Sequence, residues 1–538
     1  MAYALTDVLM VFVVEVVHIS ICFSSFRKNH QIKGNIISET AMAAPSTDVL
    51  HFVLLPLMAQ GHMIPMVDIA RILAQTGTTV TIITTPVNAN RFKSVIDRAI
   101  EAELNIQMLE LQFPFVESGL PEGCETFDML PSAAHIVNML KAMKMFEEPF
   151  ERMLQVLCPP PSCIISDGAF PWTADVAKRL NIPRLVFYGP GCFPFLCIHI
   201  LNKTNILDEI KSNSEYFALP DVPDHIEVTK PQASGWGKGN RKETKEVFEQ
   251  TQEAEKATFG IVVNSFEELE PMYVEAFEKA KDTKVWCIGP VSLCNKSFQD
   301  LSERGNKVVR SEHDCMKWLD SREVKSVVYV CLGSLSHAST EQAIELALGL
   351  ELSGIPFIWF IRQTREEFEK WLLEERYEER IKDRGLMVRG WAPQILILSH
   401  QAIGGFITHC GWNSTLEGIC AGIPMVTWPH FAEQFLNERF IVDVLKIGVK
   451  IGAEVPITFI EKDTLEVMVK RKAIKTAVEV LMNEQEEGEA RRRRAREVGE
   501  MAKKAMEEGG SSYLNIKLMI QAIAEEVAKN NKPIQDIV

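Results

Sequence analysis

The sequence lacks several features that would place a 538-residue chain in a common functional class. Basic residues are the minority, with 57 Lys and Arg against 72 Asp and Glu and a net charge of −15. This excludes a general nucleic-acid binder, because neutralising phosphates requires a basic face. Walker A, GxGxxG, GxSxG, HExxH and DxD sequences are absent, so any nucleotide must be held by other means. The twelve cysteines form neither CxxC pairs nor zinc-finger spacings, which excludes a disulfide scaffold.

The most apolar stretch lies near the amino terminus, at residues 4–26. A membrane span needs about 20 apolar residues with few charges, but Asp7 and Glu15 interrupt this stretch. A signal peptide starts with a basic region, yet no Lys or Arg precedes Arg27. We therefore interpret residues 1–41 as an extension that is disordered or not native, with Met42 as the working start. The alternative is a signal anchor; we expect no integral membrane span.

From residue 48 onwards, short runs of Val, Ile and Leu alternate with helical segments, which is typical of a parallel sheet covered on both faces. The first predicted strands are 49–57, 79–84, 105–112, 163–166 and 184–188, with helices at 64–76 and 88–102. The pattern restarts with strands at 326–331, 357–361, 386–389, 405–408 and 424–427. Ser339-Thr340-Glu341-Gln342 predicts a capping box at a helix start. We predict an α/β protein of two facing doubly wound Rossmann-like domains, with ligands bound in the cleft between them.

One strand end carries an unusual set of polar residues. The predicted strand 405–408 is followed by His409-Cys410-Gly411-Trp412-Asn413-Ser414, and a helix is expected to begin near Asn413. Glycine lets a ligand approach the backbone, Asn and Ser cap helices, and a helix N-terminus attracts anions. These residues alone predict a phosphate site, with an ordinary capped turn as the alternative.

Residues 391–434, which contain this turn, resemble the signature box of the plant secondary-metabolite UDP-sugar glycosyltransferases, the family 1 enzymes with the GT-B fold. Shorter motifs elsewhere are also similar to that family: Gly61-His62, Ile165-Ser166-Asp167, Val263-Asn264-Ser265-Phe266, Ile288-Gly289-Pro290 and Cys331-Leu332-Gly333-Ser334. The similarity runs from about Val49 to about Ala522. The segment at residues 120–125 resembles one subgroup that glucosylates phenolics and terpenoids.

The resemblance implies a UDP-sugar site without a metal. Trp391 would stack on the uracil, Ala392 and Gln394 would meet the uridine, and Glu417 would accept hydrogen bonds from the ribose hydroxyls. The residues expected to hold the diphosphate in place of a metal are His409, Asn413, Ser414 and Ser334. Those expected to contact the sugar are Trp412, Glu433 and Gln434. Glu433 stands where the family often has Asp, and His430 stands where Leu is common.

The resemblance also implies a catalytic pair in the N-terminal half. A neutral imidazole at His62 can take a proton from a hydroxyl near pH 7. Asp167 can orient that imidazole and stabilise its charged form, as in a triad without the serine. Without the family, a lone histidine in a loop is more often structural. The predicted reaction is an inverting transfer of a sugar, with glucose from UDP-glucose as the best candidate. The acceptor is a hydroxyl of a lipophilic flavonoid, other phenolic or terpenoid, and the product is a β-O-glycoside.

Domain roles follow from the same resemblance. Residues 42–291 are expected to bind the acceptor, 292–311 to form a polar linker, and 312–509 to bind the UDP-sugar. Residues 510–538 are expected to form a C-terminal helix that packs back on the N-terminal domain. We expect a monomer without a tightly bound cofactor.

The dispersed cysteines favour a cytoplasmic location. So does the sequon Asn413-Ser414-Thr415, because its glycosylation in the secretory route would block the site. The alternative functions are a nucleotide-sugar epimerase and a non-catalytic nucleotide-sugar binder.

Overall fold

The structure is a computed structural model that describes residues 49–204, 206–233, 242–305, 312–333, 339–362, 364–456 and 468–530. The predicted extension at residues 1–41 and the candidate diphosphate ligand Ser334 lie outside the described residues. No helix in these ranges is both long and apolar enough to cross a membrane.

The first half of the described chain forms a seven-stranded parallel sheet in the order β3-β2-β1-β4-β5-β8-β9, and β6 and β7 form a separate antiparallel pair. The strands are β1 (His51–Leu55), β2 (Thr79–Thr84), β3 (Ile106–Glu110), β4 (Cys163–Asp167), β5 (Arg184–Tyr188), β6 (Tyr216–Ala218), β7 (Glu227–Thr229), β8 (Gly260–Val263) and β9 (Val285–Cys287). The helices are α1 (Gln60–Gln75), α2 (Pro86–Glu101), α3 (Phe115–Ser118), α4 (Ile136–Met145), α5 (Glu147–Val156), α6 (Thr173–Leu180), α7 (Cys192–Lys203), α8 (Ile206–Glu209), α9 (Lys230–Ala233), α10 (Lys242–Lys256) and α11 (Pro271–Lys281). Short 3₁₀ turns lie at Phe127–Met129, Ala133–His135 and Val291–Cys294.

The second half forms a six-stranded parallel sheet in the order β12-β11-β10-β13-β14-β15. Its strands are β10 (Val327–Cys331), β11 (Phe357–Ile361), β12 (Gly385–Arg389), β13 (Ile403–Thr408), β14 (Met425–Thr427) and β15 (Gly448–Lys450). The remaining helices are α12 (Phe298–Ser302), α13 (Glu312–Asp320), α14 (Thr340–Ser353), α15 (Glu366–Glu374), α16 (Tyr377–Ile381), α17 (Gln394–Leu398), α18 (Trp412–Cys420), α19 (Gln434–Arg439), α20 (Arg471–Met482), α21 (Glu486–Met506) and α22 (Ser511–Asn530), with a π-helical turn at Phe440–Val444. The two parallel sheets confirm the predicted pair of doubly wound domains.

The strand order of each sheet reverses at its centre, between β1 and β4 in the first and between β10 and β13 in the second. Ligands of doubly wound sheets bind outside the carboxyl ends of the strands at such a reversal. His62 follows β1 and Asp167 ends β4, whereas Gly333 follows β10 and His409 follows β13. Topology therefore brings the candidate residues of both halves to the two reversal points.

The start of α1 differs from the prediction. Strand β1 ends at Leu55 because Pro56 has no N–H for the sheet ladder, and α1 begins at Gln60 rather than at residue 64. Pro65 therefore lies inside the helix, where it cannot donate to the carbonyl of Gly61. That carbonyl accepts a hydrogen bond from Asn413 Nδ2 instead, at 2.6 Å. His62 consequently lies in the first turn of a helix and not in a loop.

The predicted capping box is only half formed. Ser339 caps α14, and its Oγ accepts a hydrogen bond from the backbone N–H of Gln342 at 3.1 Å. The Gln342 side chain does not return to Ser339; it donates to the Val469 carbonyl at 2.8 Å and accepts from the N–H groups of Met468 and Val469. Gln342 thus joins α14 to the segment before α20.

The segment predicted as a linker packs on α1 where it is described. Arg71 of α1 donates to Asn295 Oδ1 at 2.6 Å and forms an ion pair with Asp300 at 2.9 Å. Asn295 in turn donates to Asp68 Oδ1 at 3.0 Å. These bonds fix residues 291–302 to the N-terminal half.

Helix α22 returns to the first sheet. Its Ile516, Met519 and Ile523 are buried in the same apolar cluster as residues of β1, β2 and β4. Ser512 and Asn515 donate to the carbonyls of Gly289 and Cys287, at 2.5 and 3.1 Å.

Candidate functional site

A cavity of about 710 Å³ lies between the carboxyl ends of the two sheets. It is lined by both halves of the chain, as expected for a cleft at two facing reversal points. The predicted site residues that line it are His62, Asp167, Trp391, Ala392, Gln394, His409, Trp412, Asn413, Ser414, Glu417, Glu433 and Gln434. The structure therefore brings together all the predicted site residues that it describes.

His62 and Asp167 form a hydrogen-bonded pair in this cavity. His62 Nδ1 lies 2.6 Å from Asp167 Oδ2, and the side chains are 25% and 4% exposed. Asp167 Oδ1 accepts the N–H of Ala169 at 3.0 Å, which fixes the carboxylate. Burial lowers the pKa of His62, but the charge and hydrogen bond of Asp167, together with the charge of Glu433, raise it above its usual value. Since Nδ1 faces Asp167, Nε2 is the nitrogen left for a substrate hydroxyl.

A tight turn joins β13 to α18. Cys410 occupies the left-handed region with a φ of 63°, where non-glycine residues are uncommon. Its N–H donates to Thr408 Oγ1 at 3.2 Å, and its carbonyl accepts from Asn437 Nδ2 at 2.8 Å. Helix α18 then begins at Trp412, with Gly411 as its N-cap, one residue before the predicted start. The N–H groups of its first turn have no acceptor within the helix and lie at the cavity wall, an arrangement that attracts anions.

His409 lies beside this turn as a half-buried, neutral imidazole. Burial lowers the pKa of His409 to about 4. A Cβ at either Gly333 or Gly411 would collide with its ring, so both positions require glycine to leave room for the imidazole. The Nδ1 atom is buried without a hydrogen-bond partner among the described residues. A neutral imidazole offers one N–H to a ligand without the cost of burying a charge.

The end of the cavity near Trp391 contains a network that the sequence did not predict. Glu417 forms an ion pair with Arg304 through Oε1 and accepts from Gln394 Nε2 at 2.7 Å through Oε2. Arg304 also forms an ion pair with Asp68 of α1, 236 residues away in the chain. The carbonyl of Arg304 accepts from the indole N–H of Trp391 at 2.9 Å.

No local pattern marked Arg304 or Asp68. Arg304 lies in the stretch interpreted as a polar linker, and Asp68 lies within a helix. The two neighbouring carboxylates raise the pKa of Arg304, so it is a permanent cation at this end of the cavity. Gln394 is positioned in turn by Tyr329, whose hydroxyl donates to Gln394 Oε1 at 3.1 Å.

Trp412 and Asn413 direct their side chains toward the N-terminal half. The indole N–H of Trp412 donates to the Asn264 carbonyl at 2.8 Å, and its ring packs on Gly191. Asn413 donates to Gly61, the residue before His62. Both side chains therefore join the two halves of the chain. Since the side chains are used in this way, the backbone N–H groups of these residues are the donors that can reach an anionic ligand.

Gln434 and Glu433 also line the cavity. Gln434 Oε1 accepts from the N–H groups of His430 and Phe431, at 2.8 and 3.2 Å, so the amide nitrogen is the end of this side chain that can donate to a ligand. His430 does not line the cavity: it is buried, forms an edge contact with Trp428 at 6.0 Å, and has a pKa lowered to about 3 by burial and by His409. In the described ranges no cluster of His, Cys, Asp and Glu is suited to a metal ion.

Comparison with known proteins gives consistent matches along the chain. Residues 48–293 match the family described as "Glycosyltransferase, N-terminal domain", and residues 307–485 match "UDP-glucoronosyl and UDP-glucosyl transferase". UDP-glycosyltransferase 73E1 of Stevia rebaudiana is 59% identical over 489 residues, covering 90% of this chain and 98% of that protein. UDP-glycosyltransferase 73C5 of Arabidopsis thaliana is 49% identical over 499 residues, covering 92% and 100%.

Solved structures give the same result. The crystal structure of Glycyrrhiza uralensis UGT73P12 complexed with glycyrrhetinic acid 3-O-monoglucuronide has a TM-score of 0.83 and 37% identity, covering 89% of this chain and 97% of that one. Arabidopsis thaliana UGT89C1 complexed with UDP-L-rhamnose has a TM-score of 0.68 and 28% identity, covering 89% and 100%.

Proposed function

The chain belongs to the family of plant UDP-glycosyltransferases, and from that premise we propose that it transfers glucose from UDP-glucose to a hydroxyl of a lipophilic small molecule. Membership makes it a glycosyltransferase of the GT-B fold that uses a UDP-sugar donor and a small-molecule acceptor. The observation that carries the finer proposal is the His62–Asp167 pair, at 2.6 Å, in the same cavity as the start of α18.

His62 acts as the general base in this proposal. Its Nε2 removes the proton of the acceptor hydroxyl while the oxygen attacks the anomeric carbon of glucose. Asp167 holds the ring through Nδ1 and stabilises the imidazolium that forms. A single displacement inverts the anomeric centre, so an α-linked donor gives a β-O-glycoside.

The donor lies along the second half of the cavity. The N–H groups at the start of α18, the imidazole of His409 and the hydroxyl of Ser414 receive the diphosphate and stabilise the charge on departing UDP, without a metal. We also assign Ser334 to this group. Trp391 stacks on the uracil, Ala392 and Gln394 meet the uridine, and Glu417 accepts from the ribose.

Glucose lies between the backbone of Trp412 and the side chains of Glu433 and Gln434. The amide N–H groups of Gln434 and the carboxylate of Glu433 match sugar hydroxyls, which both donate and accept.

The acceptor is a flavonoid, another phenolic or a terpenoid. Leu57, Phe127, Ile136, Phe195 and Ile198 line the acceptor half of the cavity, and such apolar walls favour a lipophilic molecule. UGT89C1 has been crystallised with quercetin and Phytolacca americana UGT2 with pterostilbene. The enzyme is further proposed to be a cytoplasmic monomer, with an acceptor domain at 42–291, a linker at 292–311 and a donor domain at 312–509.

The test is a transfer assay with purified protein. UDP-glucose is incubated with quercetin, pterostilbene and a triterpene alcohol, and products are identified by mass and by the anomeric proton coupling in NMR. We expect β-glucosides with wild type and a loss of about 10²- to 10⁴-fold in His62→Ala. His225→Ala, at a histidine whose side chain is 74% exposed, is the matched control and should retain full activity.

Other outcomes identify the alternatives. Conversion of UDP-glucose without an acceptor would indicate an epimerase, and binding of UDP-glucose without any turnover would indicate a non-catalytic binder. Near-full transfer by a folded His62→Ala variant would show that another group is the base.

A further inference from the structure

The acceptor half of the cavity extends past His62 to a second polar region. This region lies between the end of β5 and helices α7, α10 and α11, and it belongs to the same continuous cavity. Its apolar walls include Phe195 and Ile198. Its polar lining includes Tyr188, His199, Glu255 and Lys281. The glycosyl-transfer chemistry proposed above uses none of these polar groups.

Tyr188 presents a buried hydroxyl that has no hydrogen-bond partner in the described part of the chain. The residue is 6% exposed, and its ring packs on Phe195 with centroids 4.2 Å apart. Gly168 lies under the ring, where a Cβ would come within 2.8 Å of it. Tyr188 lines the cavity, and its buried hydroxyl forms no hydrogen bond with any described residue. Buried tyrosine hydroxyls almost always have a partner, because an unmet hydroxyl costs free energy.

His199 presents a second unmet group in the same region. It lies four residues after Phe195 in α7, so the two side chains share one face of the helix. Its Nε2 is buried without a hydrogen-bond partner among the described residues. Burial and the charges of Lys281 and Lys203 lower the pKa of His199 to about 4, so the ring is neutral.

A buried ion pair lies in the same region as these two groups. Lys281 forms an ion pair with Glu255 at 2.6 Å, and both side chains are largely buried. Glu255 and Lys281 both line this region. A tyrosine O–H and an imidazole N–H can both donate to a carboxylate oxygen, and the Lys281 ammonium group adds a cation beside them.

We propose that Tyr188 and His199 form a subsite for a carboxylate at the end of the acceptor remote from the hydroxyl that is glycosylated. The acceptors that this enzyme prefers are therefore hydroxylated lipophilic acids. The inference rests on the proposed function, because it names the class of acceptor that the same cavity takes.

A series of rigid acceptors tests the subsite and measures its distance from the site of transfer. The acids are 4-hydroxybenzoate, 4′-hydroxybiphenyl-4-carboxylate and 4″-hydroxyterphenyl-4-carboxylate, each compared with the parent phenol that lacks the carboxylate. We expect kcat/KM of wild type to favour the acid over its parent by about tenfold or more at one length of the series. No preference for the acid at any length would overturn the proposal.

Variants assign the preference to the two side chains. Tyr188→Phe and His199→Leu should each lower kcat/KM for the preferred acid by about tenfold, while the parent phenol changes by less than about twofold. The matched control is Tyr273→Phe, which removes another buried hydroxyl, one that donates to Asp224. Tyr273→Phe should leave the ratio of acid to parent unchanged. An unchanged ratio in both Tyr188→Phe and His199→Leu would overturn the assignment.

Thermal unfolding separates a binding role from a structural one. Tyr188→Phe removes a hydroxyl that bonds to none of the described residues, so the Tm of the ligand-free variant should equal or exceed that of wild type. Tyr273→Phe should lower Tm, because it leaves Asp224 without its donor. A lower Tm in Tyr188→Phe together with an unchanged ratio of acid to parent would show that the hydroxyl is structural.

Calorimetry distinguishes failure of the subsite from failure of the proposed function. If no phenol is glucosylated, the proposed function fails, yet binding of acid and parent to the protein can still be compared. Tighter binding of the acid to wild type, lost in Tyr188→Phe, supports the subsite. Equal binding of acid and parent overturns it.

Discussion

Replacing Asp167 with Asn tests the catalytic pair through the pKa of His62. Burial is the largest single influence on His62 and lowers its pKa, while Asp167 supplies two of the three influences that raise it. The substitution leaves burial and the weaker effect of Glu433. We therefore expect the pKa of His62 to fall from above 6.5 in wild type to below 6.5 in Asp167→Asn.

The free energy behind this change follows from the hydrogen bond. A hydrogen bond between charged partners stabilises by about 1–2 kcal/mol more than one between neutral partners. The carboxylate of wild type therefore favours the protonated ring more than the amide of the variant does. The amide also no longer fixes the tautomer of the ring, so kcat should fall by about 10²- to 10⁴-fold.

The assay is kcat/KM against pH with UDP-glucose and a triterpene alcohol, whose hydroxyl does not titrate in the range measured. Wild type should lose activity as pH falls through a value above 6.5, because the base must be neutral. In Asp167→Asn this acidic limb should move to lower pH. Asp175→Asn, at an exposed aspartate of α6, is the matched control. A limb that stays in place or moves to higher pH in Asp167→Asn would refute the reasoning.

Three further changes test other parts of the structure. Arg304→Met leaves two buried carboxylates unpaired and should lower the free energy of unfolding in urea by about 3–5 kcal/mol; a change below about 1 kcal/mol would show that the network contributes little. His409 has a pKa of about 4 in the folded protein, below its unfolded value, so the unfolded chain binds a proton first as pH falls. Protonation of His409 should therefore lower the free energy of unfolding by about 3 kcal/mol between pH 6.5 and 4. His409→Gln should flatten that slope, and an equal slope would contradict the assignment. Gly191→Ala places a Cβ within 2.7 Å of the Trp412 ring and should cost about 1–3 kcal/mol in urea unfolding. An unchanged unfolding curve would contradict that packing.

The strands and the signature box were predictable because local patterns specify them. Thr79–Thr84 and Arg184–Tyr188 have the bounds that their apolar runs predict. The box residues line the same cavity because they follow the carboxyl ends of three strands of one parallel sheet, β12, β13 and β14.

What could not be predicted depends on contacts between distant segments. Arg304 meets Asp68 and Glu417 only after both halves have folded. No sequence pattern around Trp412 indicates that its indole N–H donates to Asn264 rather than to a ligand. Cys410 takes a left-handed conformation that its residue type does not favour, because Thr408 and Asn437 hold it.

Pro65 shows how a missing backbone donor can fix the relative position of two domains. A proline in a helix leaves one carbonyl without its usual partner, and the turn that contains His62 exposes that carbonyl, at Gly61, to the other half of the protein. Asn413 occupies it from the first turn of α18, the turn proposed to bind the diphosphate. A single hydrogen bond therefore links the turn that contains the proposed base to the helix start proposed to bind the leaving group. If α1 were shifted by a single residue, Asn413 would face a carbonyl that already accepts a hydrogen bond within α1.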